Sequence, residues 1–292
     1  HLDILHVHYA IPHASAALVA KQILAQQGIT IPVVTTLHGT DITLVGREMT
    51  YEHVVSWSIN QSDAVTAVSE DLRKQTYEHF KINRDIDVIP NFIDFGRFNK
   101  KPREHFKQMI APNGEKIIIH TSNFRKVKRI EDVIAVFAQI IKEIPAKLLL
   151  IGDGPERSHI EKVSREFNTC DWVTFLGKQE AIEEILSIGD LFILPSESES
   201  FGLAALEAMA CEVPVISSNA GGIPEVNIHG VTGYLSNVGD VNDMAQNAIT
   251  LLKDPQLLAK FRKNALQQAH KFDLAEILLQ YEAIYNRVIT TN

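Results

Sequence analysis

Short runs that are apolar on both faces recur along this chain, each followed by a turn and a helical stretch, and this alternation constrains the fold most. A strand with one wet face alternates apolar and polar residues, whereas a parallel strand covered by helices on both sides reads as a continuous apolar run. Residues 4–9, 32–37 and 64–68 read as such strands, with helices over 14–27, around 51–60, and beyond a Ser69 cap. A breaker, Pro90-Asn91, and a polar segment, Asn99-Lys100-Lys101-Pro102-Arg103, then read as a linker. The pattern restarts with strands at 116–120, 147–151, 173–176, 190–194 and 213–216, and beyond Val241 the chain reads as helix. The prediction is an α/β protein of two doubly wound parallel-sheet units, with ligands beyond the carboxyl ends of the strands. The predicted boundaries are 1–98, 99–272, and a C-terminal helix over 273–292 that crosses back to the first domain. A complete unit of this kind has roughly six strands and opens on a Gly-rich turn, so the first domain reads as incomplete at its N-terminus.

Composition narrows the function. The 292 residues match two domains of ~150 residues, and 45% hydrophobic content excludes disordered, collagenous and disulfide-stapled classes. No apolar run approaches the ~20 residues of a membrane span, the start lacks a signal-peptide pattern, and two cysteines, Cys170 and Cys211, form no framework of bridges. A cytoplasmic protein is predicted. A net charge of −8 argues against a nucleic-acid binder, yet residues 97–129 carry ten Lys/Arg against two acids, a concentration that suits a local anionic ligand as well as a solvated surface.

Three segments stand at strand ends. Ser196-Glu197-Ser198-Glu199-Ser200-Phe201-Gly202-Leu203 leads from a strand into a helix that carries Glu207. Free amides of Phe201, Gly202 and Leu203 at that helix start favour an anion such as a diphosphate. Asn123-Phe124-Arg125-Lys126-Val127-Lys128-Arg129 leaves the first strand of the second unit on the same rim, where basic groups that oppose a helix dipole need a reason to be. His38-Gly39-Thr40-Asp41 occupies the equivalent rim of the first unit, with Tyr9 at the end of the neighbouring strand. His6 and His8 share a strand face, but no Cys or carboxylate stands at ligand spacing, so no metal site is assigned. Gly152-Asp153-Gly154-Pro155 reads as a structural turn, and Gly221-Gly222 as a turn that approaches a phosphate. Neither the dinucleotide fingerprint nor a Gly-x-Ser-x-Gly elbow is present.

Glu199 and Glu207 with Phe-Gly-Leu between them resemble the Glu-x7-Glu motif of family-four retaining glycosyltransferases of the GT-B fold. Leu150-Ile151-Gly152-Asp153-Gly154-Pro155-Glu156 and Ala220-Gly221-Gly222-Ile223-Pro224-Glu225 match the same family, and the resemblance covers the whole chain. The segments from His6, Thr36 and Ser122 are most similar to the branch of that family that forms the GlcNAc-malate precursor of bacillithiol. The resemblance implies two Rossmann-like domains facing a cleft, UDP-GlcNAc as donor, L-malate as acceptor, retention of configuration, and neither cofactor nor metal.

Carried over residue by residue, the resemblance places Glu207 at the ribose hydroxyls and Glu199 at the donor-sugar hydroxyls. Phe201, Gly202 and Leu203 would meet the sugar and diphosphate, Lys128 the diphosphate, and Gln179 the uracil edge. Asn123 stands where the wider family has an arginine, with Arg125 two residues later as in the malate branch. His38 would contact the sugar 6-hydroxyl, and Tyr9 and Thr36 would lie near the acceptor. Thr40 can add a hydroxyl and Arg47 a cation on that rim. Glu212 stands where the family has glycine. The family's Gly-rich acceptor loop would lie upstream of His1, so this chain is expected to bind donor but to transfer slowly or not at all. No nucleic-acid or membrane partner is predicted, and association with a second copy is compatible with the sequence. Two rivals remain: a family-four enzyme acting on a polysaccharide or glycolipid, and a nucleotide-sugar-binding protein without turnover.

Overall fold

A computed structural model describes residues 2–44 and 49–291. It comprises two units, His1–Phe92 with Leu274–Asn292, and Ile93–Asp273. The first holds four parallel strands, β1 (Leu5–His8), β2 (Val33–Leu37), β3 (Ala64–Ala67) and β4 (Ile86–Val88), in the order β1-β2-β3-β4. Val33, Val34, Thr35, Thr36 and Leu37 are all buried, as the apolar run predicts for an inner strand covered on both faces. Helices Ser15–Ala25, Met49–Gln61 and Glu70–His79 follow these strands, the last capped by the Ser69 hydroxyl, which accepts from the Leu72 amide at 3.1 Å. The C-terminal helix Leu274–Thr291 sets Ile277, Ile284 and Val288, on one helical stripe, against Val34, Ala64 and Ile89.

The second unit holds β5 (Lys116–Thr121), β6 (Ala146–Ile151), β7 (Val173–Gly177), β8 (Leu191–Leu194), β9 (Val215–Ser218) and β10 (Gly233–Ser236). All pair in parallel, in the order β10-β9-β8-β5-β6-β7, so the winding reverses between β5 and β8. β10 escapes sequence reading because it is a short edge strand, Gly-Tyr-Leu-Ser, opened by a glycine. The helix Ile130–Ile140 buries Ile130, Val133, Ile134 and Phe137 beneath this sheet, and the helix Val241–Lys253 adds Met244, Ala248 and Leu251 to the same core.

The polar segment 99–103 lies inside the second unit, and the division falls after Phe92. The reason is apolar: Ile93 and Phe98 are buried, and the Ile93 amide donates to the Phe272 carbonyl at 2.8 Å. Nor is the basic run 97–129 a single anion surface. Arg97, Lys100, Arg103, Lys107, Lys128 and Arg129 each pair with a carboxylate of their own unit. Among the described residues, no helix is long and apolar enough to cross a membrane.

Candidate active site

The reversal of winding opens a crevice in the second unit. β5 stays paired with β6 through Thr121 and Ile151 but leaves β8 after Ile119 and Phe192. The two loops that then diverge are the Asn123 to Arg129 segment and the Ser196 to Gly202 segment. They are tied to each other: the Glu197 amide donates to the Val127 carbonyl at 2.8 Å, and the Lys128 ammonium donates to Glu199 Oε2 at 2.6 Å. With only 20% and 17% of these two side chains exposed, this pair is screened less than a surface ion pair.

Glycines hold the loops from behind. A Cβ on Gly152, whose φ is +118°, would lie 1.8 Å from the Ser122 carbonyl oxygen. One on Gly222 would lie 2.4 Å from that of Ser200, and the Gly222 amide donates to the Glu199 carbonyl at 2.9 Å. Both glycine turns therefore pack against crevice backbone, a close approach that only a residue without a side chain permits.

Gly202, at φ +96°, starts the helix Leu203–Ala210. The amides of Phe201, Gly202 and Leu203 donate to no carbonyl of the described residues, as the first amides of a helix do. Phe201 is buried edge-on against Phe272 at 5.5 Å, whereas Leu203 is exposed. Glu207 follows within the same helix, half-buried and with no hydrogen-bond or ion-pair partner among the described residues. Burial pushes its carboxyl up to about 7; the Arg97 guanidinium opposes this and Glu183 adds to it. Arg97 is held at 3.2 Å by Glu183 and at 2.9 Å by the Glu180 carbonyl. Sequence reasoning missed Arg97 because it lies in an irregular stretch far from any motif.

The remaining residues of this unit separate. Arg125 is exposed without a partner among the described residues, and Asn123 is exposed beside it. Arg129, the last of the basic segment, instead closes on Asp132 at 2.6 Å. Gln179 is exposed just beyond β7, its amide nitrogen donating to the Leu176 carbonyl at 2.6 Å. Glu212, where glycine was anticipated, adopts φ +59° after the helix, the left-handed position that favours glycine.

The rim of the first unit is built from imidazoles and hydroxyls. His6 bridges Tyr285 Oη at 2.7 Å and Thr36 Oγ1 at 2.8 Å, and Thr36 continues to Thr66 at 2.7 Å. His8 Nδ1 and His38 Nε2 lie 2.8 Å apart, and the Tyr9 ring stands 5.1 Å from that of His38. Burial, with the neighbouring His8, lowers both His6 and His38 to about 4, so both are neutral near pH 7. Asp41, buried below them, accepts from the Ala10 amide at 2.7 Å and the Gly39 amide at 3.1 Å. Tyr9 lies just past β1 at φ +74°, Thr40 is exposed, and Arg47 falls outside the described residues. Asp41 was read only as a loop acid; its role as the clamp between two turns needed the fold. Among the described residues no group of three or more His, Cys, Asp or Glu is arranged to hold a metal ion.

Residues 101–268 match the family model of glycosyl transferases group 1, and residues 1–97 that of glycosyltransferase family 4. The chain is 49% identical over 290 residues to the N-acetyl-alpha-D-glucosaminyl L-malate synthase of Bacillus anthracis, covering 99% of this chain and 75% of that protein. Sucrose-phosphate synthase from Thermosynechococcus elongatus superposes with a TM-score of 0.85 at 26% identity, covering 99% of this chain and 74% of that one. HepE of Anabaena, solved in complex with UDP and glucose, shares the fold at a TM-score of 0.88 and 24% identity, covering 98% of this chain and 78% of its own. With both units matched, the chain belongs to the group 1, family 4 glycosyltransferases, enzymes of the GT-B fold class.

Proposed function

We propose that this glycosyltransferase moves GlcNAc from UDP-GlcNAc to the hydroxyl of L-malate with retention of configuration. The acceptor and donor assignments rest on the 49% identity to a GlcNAc-malate synthase over almost the whole chain. The observation that carries the donor reading is Glu207, a carboxylate without a partner among the described residues, about one helical turn from free N-terminal amides. Ribose hydroxyls would supply the donors that Glu207 lacks, while the amides of Phe201, Gly202 and Leu203 receive the diphosphate and sugar.

In this reading Lys128 and Arg125 neutralise the diphosphate, Asn123 lines its approach, Glu199 turns to the donor-sugar hydroxyls, and Gln179 meets the uracil edge. On the first unit His38 serves a sugar hydroxyl, Tyr9 and Thr40 serve malate with Arg47 as the nearby cation, and Thr36, fully buried, supports that rim through its hydrogen bond to His6 rather than meeting malate itself. The bond from the sugar C1 to the diphosphate oxygen breaks, and the bond from C1 to the malate oxygen forms on the same face. The malate hydroxyl proton ends on the departing phosphate. Preorganised cations and amides stabilise the negative charge that develops there, so the proposal invokes no metal. Two unpaired cysteines fit a reducing compartment, and we place the activity in the cytoplasm.

Glu207→Ala tests the donor site. Loss of a charged hydrogen bond should weaken UDP by roughly 1.5–3 kcal/mol in calorimetry, and an unchanged affinity would remove Glu207 from the site. A product assay with L-malate as sole acceptor tests the rest: binding of UDP-GlcNAc without GlcNAc-malate would leave only a nucleotide-sugar-binding protein.

A further inference from the structure

Where β5 and β8 part, below the loops that carry Lys128 and Glu199 in the chain, lies a histidine that no sequence motif singled out. His120, in β5, is fully buried. It is the first β5 residue beyond the last pairing with β8, Ile119 with Phe192, where the ladder between these two strands ends. Its imidazole takes over across that gap. Nδ1 lies 2.8 Å from the Ile193 carbonyl of β8, and Nε2 lies 2.9 Å from the Ser122 hydroxyl. The directions of these bonds follow from chemistry. A carbonyl only accepts, so Nδ1 carries the hydrogen. Burial, with Lys128 nearby, lowers the imidazole to about 4, so it is neutral near pH 7 and Nε2 accepts from Ser122. Ser122 Oγ in turn lies 3.4 Å from the Phe124 amide, which donates to it. One ordered chain therefore runs from the first turn of the Lys128 loop, through Ser122 and His120, into the strand that launches the Glu199 loop.

We propose that His120 is a positioning residue for donor binding: it sets the separation of the Lys128 and Glu199 loops at the point where β5 and β8 part. An apolar side chain of equal size would fill the core but leave the Ile193 carbonyl without its donor and the Ser122 hydroxyl without its acceptor, and the loops would lose the tie nearest the parting strands, keeping only those at Val127 and Lys128. Both contacts are local to the donor crevice, so the effect belongs to the nucleotide sugar and not to the acceptor. The inference rests on the donor reading above.

The experiment compares wild type with His120→Phe, which keeps a ring but removes both hydrogen bonds, and His120→Asn, which retains a donor for Ile193. Ser122→Ala serves as an independent arm that leaves the imidazole in place. Each is measured for thermal unfolding, UDP affinity of the folded protein, and KM for donor and acceptor separately. The expected result is a rise of about tenfold in donor KM and UDP Kd for His120→Phe and Ser122→Ala, with acceptor KM unchanged and a smaller donor effect in His120→Asn. If the variants unfold earlier yet bind UDP as wild type does, His120 is a packing residue and the proposal falls. Wild-type affinity in Ser122→Ala overturns it as well, even if His120→Phe fails to fold. Lys128→Ala separates the two readings: if UDP binds wild type and Lys128→Ala equally, the donor site itself is misassigned and His120 is not what failed.

Discussion

The two units share a parallel-sheet plan but treat charge in opposite ways at their strand ends. In the second unit a basic loop and an acidic loop face each other, and Lys128 and Glu199 satisfy one another at 2.6 Å while Glu207 has no partner among the described residues. In the first unit the rim is built of imidazoles and hydroxyls: His6, His8, His38, Thr36 and Tyr9 exchange hydrogen bonds and ring contacts, burial keeps His6 and His38 neutral near pH 7, and Asp41 is buried. The contrast separates two tasks. Under the proposed function, the charged groups that would meet a diphosphate are held by each other, and a lysine paired to a glutamate would exchange one anion for another when donor arrives. Neutral imidazoles and hydroxyls carry direction without a strong field, which suits the recognition of hydroxyl-bearing groups.

Four measurements sharpen this contrast, from the largest expected effect to the smallest. Asp41→Ala should destabilise the first unit most, because it strands the buried Ala10 and Gly39 amides, each worth about 1–3 kcal/mol. Denaturant unfolding reads this directly, and a loss below about 1 kcal/mol would mean that water or neighbouring groups replace the carboxylate. Lys128→Ala should cost about 1.5–3 kcal/mol in UDP affinity, and it also leaves Glu199 uncompensated beside the phosphates. Equal affinity in calorimetry would place the diphosphate elsewhere.

The third measurement is a pH series. In the proposed donor site ribose hydroxyls would donate to ionised Glu207, whose carboxyl burial pushes up to about 7, so binding would favour the deprotonated form. Affinity for UDP-GlcNAc should therefore fall as pH drops below 7, approaching tenfold per unit, and level off above it. Glu207→Gln should flatten the profile; an unchanged slope in that variant would assign the titration to another group. The smallest effect concerns Glu212. A left-handed non-glycine residue costs about 1–2 kcal/mol, so Glu212→Gly should stabilise the protein by around 1 kcal/mol after loss of its exposed pair with Lys100. A lower melting temperature for this variant would show that the Lys100 pair outweighs the backbone strain.

Periodicity and strand-end motifs were enough to read the two parallel-sheet units and the loops around Lys128, Glu199 and His38, because burial on both faces and glycine turns leave local marks in a sequence. The short edge strand β10 left no such mark, and neither did the end of the first unit at Phe92, which depends on where Ile93 and Phe98 find a core. Glu212 shows both levels at once: its departure from glycine was legible, but its left-handed backbone was not.

What the sequence determined by itself is the fold class, the family, and which loops carry charge, since each depends on residues close together in the chain. What only the tertiary structure decided is which charges remain available. Six of the ten basic residues between Arg97 and Arg129 are matched by carboxylates, for the most part distant in sequence, and Lys128 meets Glu199 across 71 residues. His120 reaches Ile193 across 73 residues, and the neutrality of its imidazole follows from the core closed around it. Pairing and desolvation are properties of neighbours in space, and those neighbours exist only once the sheet has brought β5 and β8 side by side.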